Sequence, residues 1–136
     1  MMILMSLALA AAQAEPPLEC YNTPVQPELN ECAYNEYERA DAELNRQWRI
    51  TLEHMREIDR EHNRDARIYP RIMDTASGVE HLMAAQRAWL IFRDNHCVLD
   101  PHRNFGGAME PMLYYGCLTG LTRDRSAQLK QIVEYP

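Results

Sequence analysis

The sequence contains none of the short motifs that commonly mark an active site. Its serines, Ser6, Ser77 and Ser126, lie outside any Gly-x-Ser-x-Gly motif, and no His-Glu-x-x-His segment is present. No two histidines are three or four residues apart, so no helical turn offers two imidazoles to a metal. Gly106-Gly107 lacks the lysine of a phosphate-binding loop. These absences predict a protein that is not an enzyme and that binds no metal or cofactor.

A surplus of basic residues is also missing, since 14 Lys and Arg against 20 Asp and Glu give a net charge of −6. Nucleic-acid binding needs a basic face, so we exclude it. Residues 15–45 hold eight acidic residues and one basic residue, a net charge of −7. Such a region attracts a basic protein and speeds its docking. The alternative is that an acidic surface merely keeps the protein soluble.

The first 14 residues are apolar, carry no charge and end in Ala12-Gln13-Ala14. This pattern predicts a secretory signal peptide over residues 1–14, with cleavage before Glu15. The apolar run is shorter than the roughly 20 residues that span a membrane, so we expect no stable membrane anchor. Residues 15–136 are predicted to form a single domain in the bacterial periplasm or outside the cell.

Four cysteines in a small exported chain favour disulfides over metal ligands. Cys20, Cys32, Cys97 and Cys117 form no Cys-x-x-Cys motif, and they permit three pairings. Proximity along the chain favours Cys20 with Cys32 and Cys97 with Cys117, because each bridge would then span a chain reversal at a helix end.

Apolar residues recur at helical spacing along most of the chain, and no strand pattern is present. The first stripe consists of Leu29, Ala33, Tyr37, Ala40, Leu44, Trp48, Leu52 and Met55. A second helix, ending near Cys97, has the predicted inner positions Val79, Leu82, Met83, Ala85, Ala88, Trp89 and Phe92. A last helix follows from about Met112 to Ile132. The pattern predicts an all-α fold, an antiparallel helical hairpin or small bundle with two disulfides at its ends.

Several segments together resemble one family of exported bacterial proteins. They are Cys20, Cys32-Ala33, Ala40-Asp41, Leu44-Asn45, Gln86-Arg87-Ala88-Trp89-Leu90, Phe92-Arg93-Asp94, Cys97, Gly106-Gly107, Cys117, Leu121-Thr122 and Arg125. The segment from Gln86 to Cys97 is the most specific. This arrangement, from about Cys20 to Leu129, resembles the LprI-type lysozyme-inhibitor family. The resemblance implies a helical domain outside the cytoplasm and, for the family's namesake, inhibition of lysozyme.

The polar residues within these segments are interpreted as a structural network between helices. Its predicted members are Asp41, Asn45, Gln86, Arg87, Arg93, Asp94 and Arg125. Because a guanidinium fork suits a carboxylate, we expect Arg93 or Arg125 to bridge to Asp41 and fix the helix register. The functional alternative is a pocket for a small anion.

A protein partner, such as a basic lysozyme or another cell-wall hydrolase, has two candidate contact surfaces. One is the loop from Asp100 to Gly107, where Phe105 supplies an anchor, Asp100 a carboxylate and His102 a further polar group. The other is the acidic set Glu28, Glu31, Glu36, Glu38 and Glu43. If these surfaces lie at opposite ends of the helices, the loop is the preferred site. The alternative function is an envelope or stress module that binds another periplasmic protein without inhibiting an enzyme.

Overall fold

A computed structural model describes residues 22–65, 77–102 and 105–135 of the chain. Four helices make up its regular structure: α1 (Gln26–Asp65), α2 (Gly78–His96), α3 (Leu99–His102) and α4 (Glu110–Glu134). No strand occurs in these ranges, so the all-α prediction is confirmed. None of the helices in these ranges combines the length and apolar character needed to cross a bilayer.

The first helix begins at Gln26. Thr23 lies in the preceding turn, where its hydroxyl accepts a hydrogen bond from the Val25 backbone N–H at 3.1 Å. With 40 residues, α1 is about 60 Å long at 1.5 Å per residue. Its second half carries exposed ion pairs, such as Arg56 with Glu53 at 3.3 Å. Exposed pairs of this kind contribute little to stability, because solvent screens the two charges.

The second helix starts against the far end of α1. Ser77 is its N-cap and forms a capping box with Glu80, whose backbone N–H donates to the Ser77 hydroxyl at 3.1 Å. The Asp59 carboxylate accepts further hydrogen bonds from the Gly78 and Val79 backbone N–H groups, at 2.8 and 3.0 Å. A Cβ at Gly78 would collide with the Met55 thioether, so glycine permits this close approach. The start of α2 is therefore fixed to α1 by polar capping rather than by apolar burial.

The three long helices form an up-down-up bundle. Asn30 on α1 donates to the Ala108 carbonyl just before α4 at 3.0 Å, and Thr51 donates to the Leu129 carbonyl at 3.0 Å. These contacts follow the same order along both helices, so α1 and α4 run parallel. Helix α2 is antiparallel to both and contributes less contact, because α1 packs mainly on α4. Consecutive long helices are antiparallel as expected, whereas the most extensively packed pair is parallel.

The core lies between α1 and α4 and is closed on one side by α2. Leu44, Leu82 and Leu129 are buried at its centre. The partly buried residues around them are Trp48, Leu52, Met55, Trp89 and Ile132. A polar chain crosses the same core, since the Gln47 amide donates to the buried Thr51 hydroxyl at 3.2 Å. The Thr51 hydroxyl in turn donates a hydrogen bond to the Leu129 carbonyl, so these buried polar atoms are satisfied.

The predicted inner face of α2 was partly wrong. Leu82 is buried and Trp89 packs on the core, but Met83 is 41% exposed and Phe92 is 52% exposed. Ala85 and Ala88 are also exposed. The seven predicted positions cover more than one side of the helix, whereas α2 meets the α1–α4 pair through a narrow strip. Apolar character alone therefore did not identify the buried side.

The disulfide between Cys97 and Cys117 joins the end of α2 to α4, with a Cα–Cα distance of 5.4 Å. Cys20 lies outside the described residues, so its pairing with Cys32 stays a prediction. The predicted loop from Asp100 to Gly107 also differs from expectation, because Leu99–His102 form the single helical turn α3. Residues 103 and 104 lie outside the described ranges, and a turn at residues 105–109 leads into α4.

Candidate functional site

The most specific sequence segment forms one face of α2. Gln86, Trp89, Arg93 and Cys97 are separated by three or four residues, which places them on successive turns of the same side. Each of the four contacts α1 or α4. The segment therefore specifies how α2 is seated on the other two long helices.

Arg93 is the only buried charged residue in the part of the chain that the structure describes, at 7% exposure. Its Nη1 lies 3.6 Å from the Asp41 carboxylate on α1, and it donates to the Thr122 hydroxyl on α4 at 3.4 Å. Its Nε and Nη2 both lie 2.9 Å from Oδ1 of the adjacent Asp94. One guanidinium therefore links all three long helices, as its fixed fork of donors allows.

Two aromatic rings complete the surroundings of Arg93. The guanidinium carbon lies 5.1 Å from the Trp89 ring centre and 5.8 Å from that of Tyr37, both within cation–π range. Burial raises the pKa of Tyr37, and the Arg93 charge partly opposes that change. Tyr37 therefore stays protonated beside the guanidinium at neutral pH.

The other predicted network residues form a separate group or lie in solvent. The Arg125 guanidinium donates to the Gln86 amide oxygen at 3.0 Å rather than reaching Asp41, and burial lowers the pKa of Arg125. Asn45 donates to the Asp41 carboxylate at 3.0 Å. Arg87 makes no hydrogen bond or ion pair with any described residue. The predicted residues thus form two local clusters instead of one buried network.

Several of these residues line an open groove between α1 and α2. Its walls are formed by Asp41, Leu44, Asn45, Trp48, Met83, Gln86, Arg87 and Leu90. The floor is apolar and the rim is polar. Asp41 is half-buried while Asn45 and Arg87 are exposed, because these positions lie at the edges of the helix contact.

The predicted loop lies at one end of the bundle, which we call the disulfide end. It consists of the Cys97–Cys117 bridge, α3, the turn at residues 105–109, and the first turns of α1 and α4. Asn30 of α1 contacts Ala108 here, so the acidic first half of α1 reaches the same end as the loop. The two predicted partner surfaces are therefore adjacent, not at opposite ends.

A cluster of tyrosines supports this end. The Tyr115 ring lies 5.1 Å from Tyr34 in an edge-to-face arrangement and 5.9 Å from Tyr37 in a stacked one. Tyr114 packs edge-on against Tyr115 at 5.3 Å. This cluster was not predicted from the sequence, although Tyr34 and Tyr37 are three residues apart and so share a helix face.

Phe105 projects from the turn and is 83% exposed. Gly106 follows it with a φ of +75°, a conformation that glycine adopts at little cost. The Gly106 backbone N–H donates to the Glu110 carboxylate at 2.7 Å, which ties the turn to the start of α4. An aromatic side chain is thus presented to solvent at the start of a turn that two hydrogen bonds hold, one from Gly106 to Glu110 and one from Asn30 to Ala108.

A pocket of about 430 Å³ lies beneath this turn. It is lined by Val98, Pro101, His102, Phe105, Glu110, Pro111, Tyr114 and Tyr115. Phe105 and His102 therefore border the same pocket, as expected for one contact surface. The side chain of Asp100, the third predicted loop residue, lies outside those that the structure describes.

The five predicted acidic residues do not form one patch. Glu31 and Glu38 share one side of α1, and Glu36 and Glu43 share another, about 140° away at 3.6 residues per turn. Glu43 pairs with Arg46 at 2.9 Å, and this hydrogen bond lowers the pKa of Glu43.

Three of the acidic residues lie nearer the disulfide end. Glu28 accepts a hydrogen bond from the Thr23 hydroxyl at 2.5 Å. Glu38 lies beside Tyr34, and its negative charge raises the pKa of that tyrosine. Glu28, Glu31 and Glu38 are therefore the acidic residues best placed to border the disulfide end.

Comparison with known proteins gives two matches to the chain. The family model described as "Lysozyme inhibitor LprI" matches residues 19–129. An uncharacterized protein of Rhizobium meliloti (strain 1021) is 41% identical over 133 residues, covering 98% of this chain and 91% of the relative. No solved structure gives a significant match. The chain therefore belongs to the LprI lysozyme-inhibitor family.

Proposed function

We propose that this protein is exported to the periplasm or the medium, where it binds and inhibits a lysozyme-type cell-wall hydrolase through its disulfide end. The observation that carries the proposal is Phe105, an 83% exposed aromatic residue on a turn that hydrogen bonds hold in place. Family membership supports an inhibitory role. The partner is a protein, and no cofactor takes part.

The composition of the disulfide end suits a protein interface. Protein interfaces commonly have an aromatic centre surrounded by a polar rim, and a few anchor residues supply most of the affinity. Phe105 and the tyrosine cluster form such a centre. The exposed Leu99 and Met109, at 60% and 45%, extend the apolar area on either side.

The rigidity of the turn favours tight binding. Side chains that become ordered on docking lose about 0.5–1.5 kcal/mol each, so a preformed surface loses less on binding. The disulfide fixes α3 relative to α4, and the Asn30 and Glu110 contacts fix the turn between them. The backbone that follows Phe105 is thus largely fixed before the partner arrives.

The charge of this region favours a basic enzyme as the partner. Glu28, Glu31 and Glu38 border the disulfide end, within the segment of net charge −7 that contains eight acidic residues and one basic residue. A negative rim attracts a positively charged protein and raises the association rate. Charge therefore raises the association rate, and the aromatic centre lengthens the lifetime of the complex.

A cell-wall clearing assay with purified, oxidised protein tests the proposal. We expect inhibition at micromolar concentration, and we expect Phe105→Ala to weaken it about 30-fold through faster dissociation, the effect of losing a typical anchor residue. Phe92→Ala is the matched control, because Phe92 is the chain's other phenylalanine and is 52% exposed on α2. This control should inhibit as well as the parent.

A second variant tests the contribution of charge. Replacing Glu28, Glu31 and Glu38 by glutamine should slow association several-fold and reduce its dependence on salt, because exposed charges act over about 8–10 Å. The control removes the same charge from positions far from the disulfide end, namely Glu61, Asp124 and Glu134. Equal inhibition by the parent and Phe105→Ala would refute the proposed surface. An inactive parent would favour the envelope-binding module instead.

A further inference from the structure

Helix α2 carries a second stripe of residues, on a side that neither α1 nor α4 covers. Its apolar members are Met83, Leu90 and Ile91 in the helix and Val98 in the turn that follows it, with exposures of 41%, 36%, 66% and 50%. Arg87 and Asp94 lie between them and are also exposed. Spacings of three, four and seven residues place the five side chains of the helix along one face, and together with Val98 they are called the outer stripe.

The outer stripe is complementary to a second copy of itself that runs in the opposite direction. If two α2 helices lie antiparallel about a twofold axis between Leu90 and Ile91, each Leu90 meets the other copy's Ile91. The same operation places Arg87 opposite Asp94. A twofold interface requires this reciprocity, in which residue i contacts j and j contacts i.

We propose that two copies of this chain associate through antiparallel α2 helices. Leu90 and Ile91 lie at the centre of the interface, with one Arg87–Asp94 ion pair on each side. A parallel arrangement would place Arg87 opposite Arg87 and Asp94 opposite Asp94, so charge selects the antiparallel one. The occupant of the outer stripe is therefore a second copy of the same face.

Both charged groups are available for this contact. Arg87 makes no hydrogen bond or ion pair with any described residue. Asp94 uses Oδ1 for Arg93, and its Oδ2 has no partner within the described ranges. Packing of Leu90 and Ile91 beside the pairs would exclude water and strengthen them relative to isolated surface pairs.

The groove between α1 and α2 provides room for the second helix. Met83, Arg87 and Leu90 belong both to the outer stripe and to the groove wall. Packed helices have axes about 8–10 Å apart, so a second α2 at this distance would cover the mouth of the groove. Its apolar floor, which includes Leu44 and Trp48, would then lose its access to solvent.

Sedimentation equilibrium of the purified, oxidised protein tests the inference, and it requires no enzyme partner. We expect the parent to be dimeric at about 100 µM, with Arg87→Glu weakening dimerisation at least 10-fold, a change that RT ln K equates with about 1.4 kcal/mol. Arg123→Glu changes the same charge at an exposed position on α4 and is expected to leave dimerisation unchanged. A monomeric parent, or an Arg87→Glu variant that dimerises like the parent, would overturn the inference.

A charge exchange tests the antiparallel register. Combining Arg87→Glu with Asp94→Arg restores opposite charges across the interface, so the double variant should regain most of the lost dimerisation. A folded double variant that remains monomeric would overturn the register. Because Asp94 also contacts Arg93, the double variant could fail to fold. Ile91→Glu then provides the test, since this 66% exposed residue contributes little to the monomer and should abolish dimerisation.

Discussion

Replacing Arg93 by methionine is expected to lower the free energy of unfolding by about 3 kcal/mol, because charged hydrogen bonds and cation–π contacts are lost together. The guanidinium is 7% exposed and contacts Asp41, Asp94 and Thr122. Methionine replaces the aliphatic part of the arginine side chain and lacks only the guanidinium. The variant therefore measures the loss of charge and donors rather than the creation of a large cavity.

The Asp41 part of this effect can be worked out separately. At 3.6 Å the Coulomb energy is about 1 kcal/mol in water and about 4–5 kcal/mol at an effective dielectric constant of 20. Because the Asp41 side chain is 38% exposed, solvent screening places the coupling near the lower figure, at about 1 kcal/mol. Asp41→Asn alone should therefore destabilise the protein by about 1 kcal/mol.

A double-mutant cycle with urea denaturation measures both quantities. Asp41→Asn combined with Arg93→Met should cost about 1 kcal/mol less than the sum of the single changes. Arg93→Lys should recover only part of the stability, since lysine keeps the charge but lacks the planar fork. A cost below about 1 kcal/mol for Arg93→Met would refute the view that Arg93 links the three helices.

Three further predictions follow from the same contacts. Replacing Cys97 and Cys117 by serine should reduce stability by about 3 kcal/mol in urea denaturation, the loop entropy released by a separation of 20 residues; an unchanged midpoint would contradict this. Trp89→Ala should cost about 3 kcal/mol because the ring packs on the core; a folded variant that loses binding would identify a surface anchor instead. Burial raises the pKa of Tyr37, so its contribution is fully present below the unfolded pKa of about 10 and is lost as pH rises through the folded value. Tyr37→Phe should therefore flatten the alkaline decline in stability measured by denaturation, and an unchanged slope would exclude Tyr37 as its cause.

The number and approximate positions of the long helices could be predicted from the sequence, because they depend on local signals. Ser77 and Glu80 carry a capping box, and the apolar period of the first helix continues for many turns. The Cys97–Cys117 bridge followed from proximity along the chain. Each of these features depends on residues that are close in the sequence.

Which side chains of α2 are buried could not be predicted in the same way. Phe92 and Trp89 have similar apolar character, yet one is 52% exposed and the other packs on the core. Which one is buried depends on the position of the α1–α4 pair, a long-range property that single-sequence periodicity does not contain. The extensive packing of α1 on α4 has the same origin, because it depends on how the three helices are placed around one another.

The acidic region illustrates a related limit. Charge counting placed the negative residues within residues 15–45, but a count contains no angular information. Glu31 with Glu38 and Glu36 with Glu43 lie on different sides of α1, since a seven-residue spacing repeats a face and a five-residue spacing does not. A helical projection of the sequence would have separated them without a structure.

The way in which α2 is held explains why its apolar residues remain available for binding. Asp59 caps its first turn and the disulfide fixes its last, while Arg93 holds its middle through charge and hydrogen bonds. Since these contacts act together with the burial of Leu82 and the packing of Trp89, the fold does not need Leu90 or Ile91 in its core. Apolar side chains left exposed in this way are typical of contact surfaces. Substituting them should therefore change association far more than stability, and this difference separates an interface residue from a core residue.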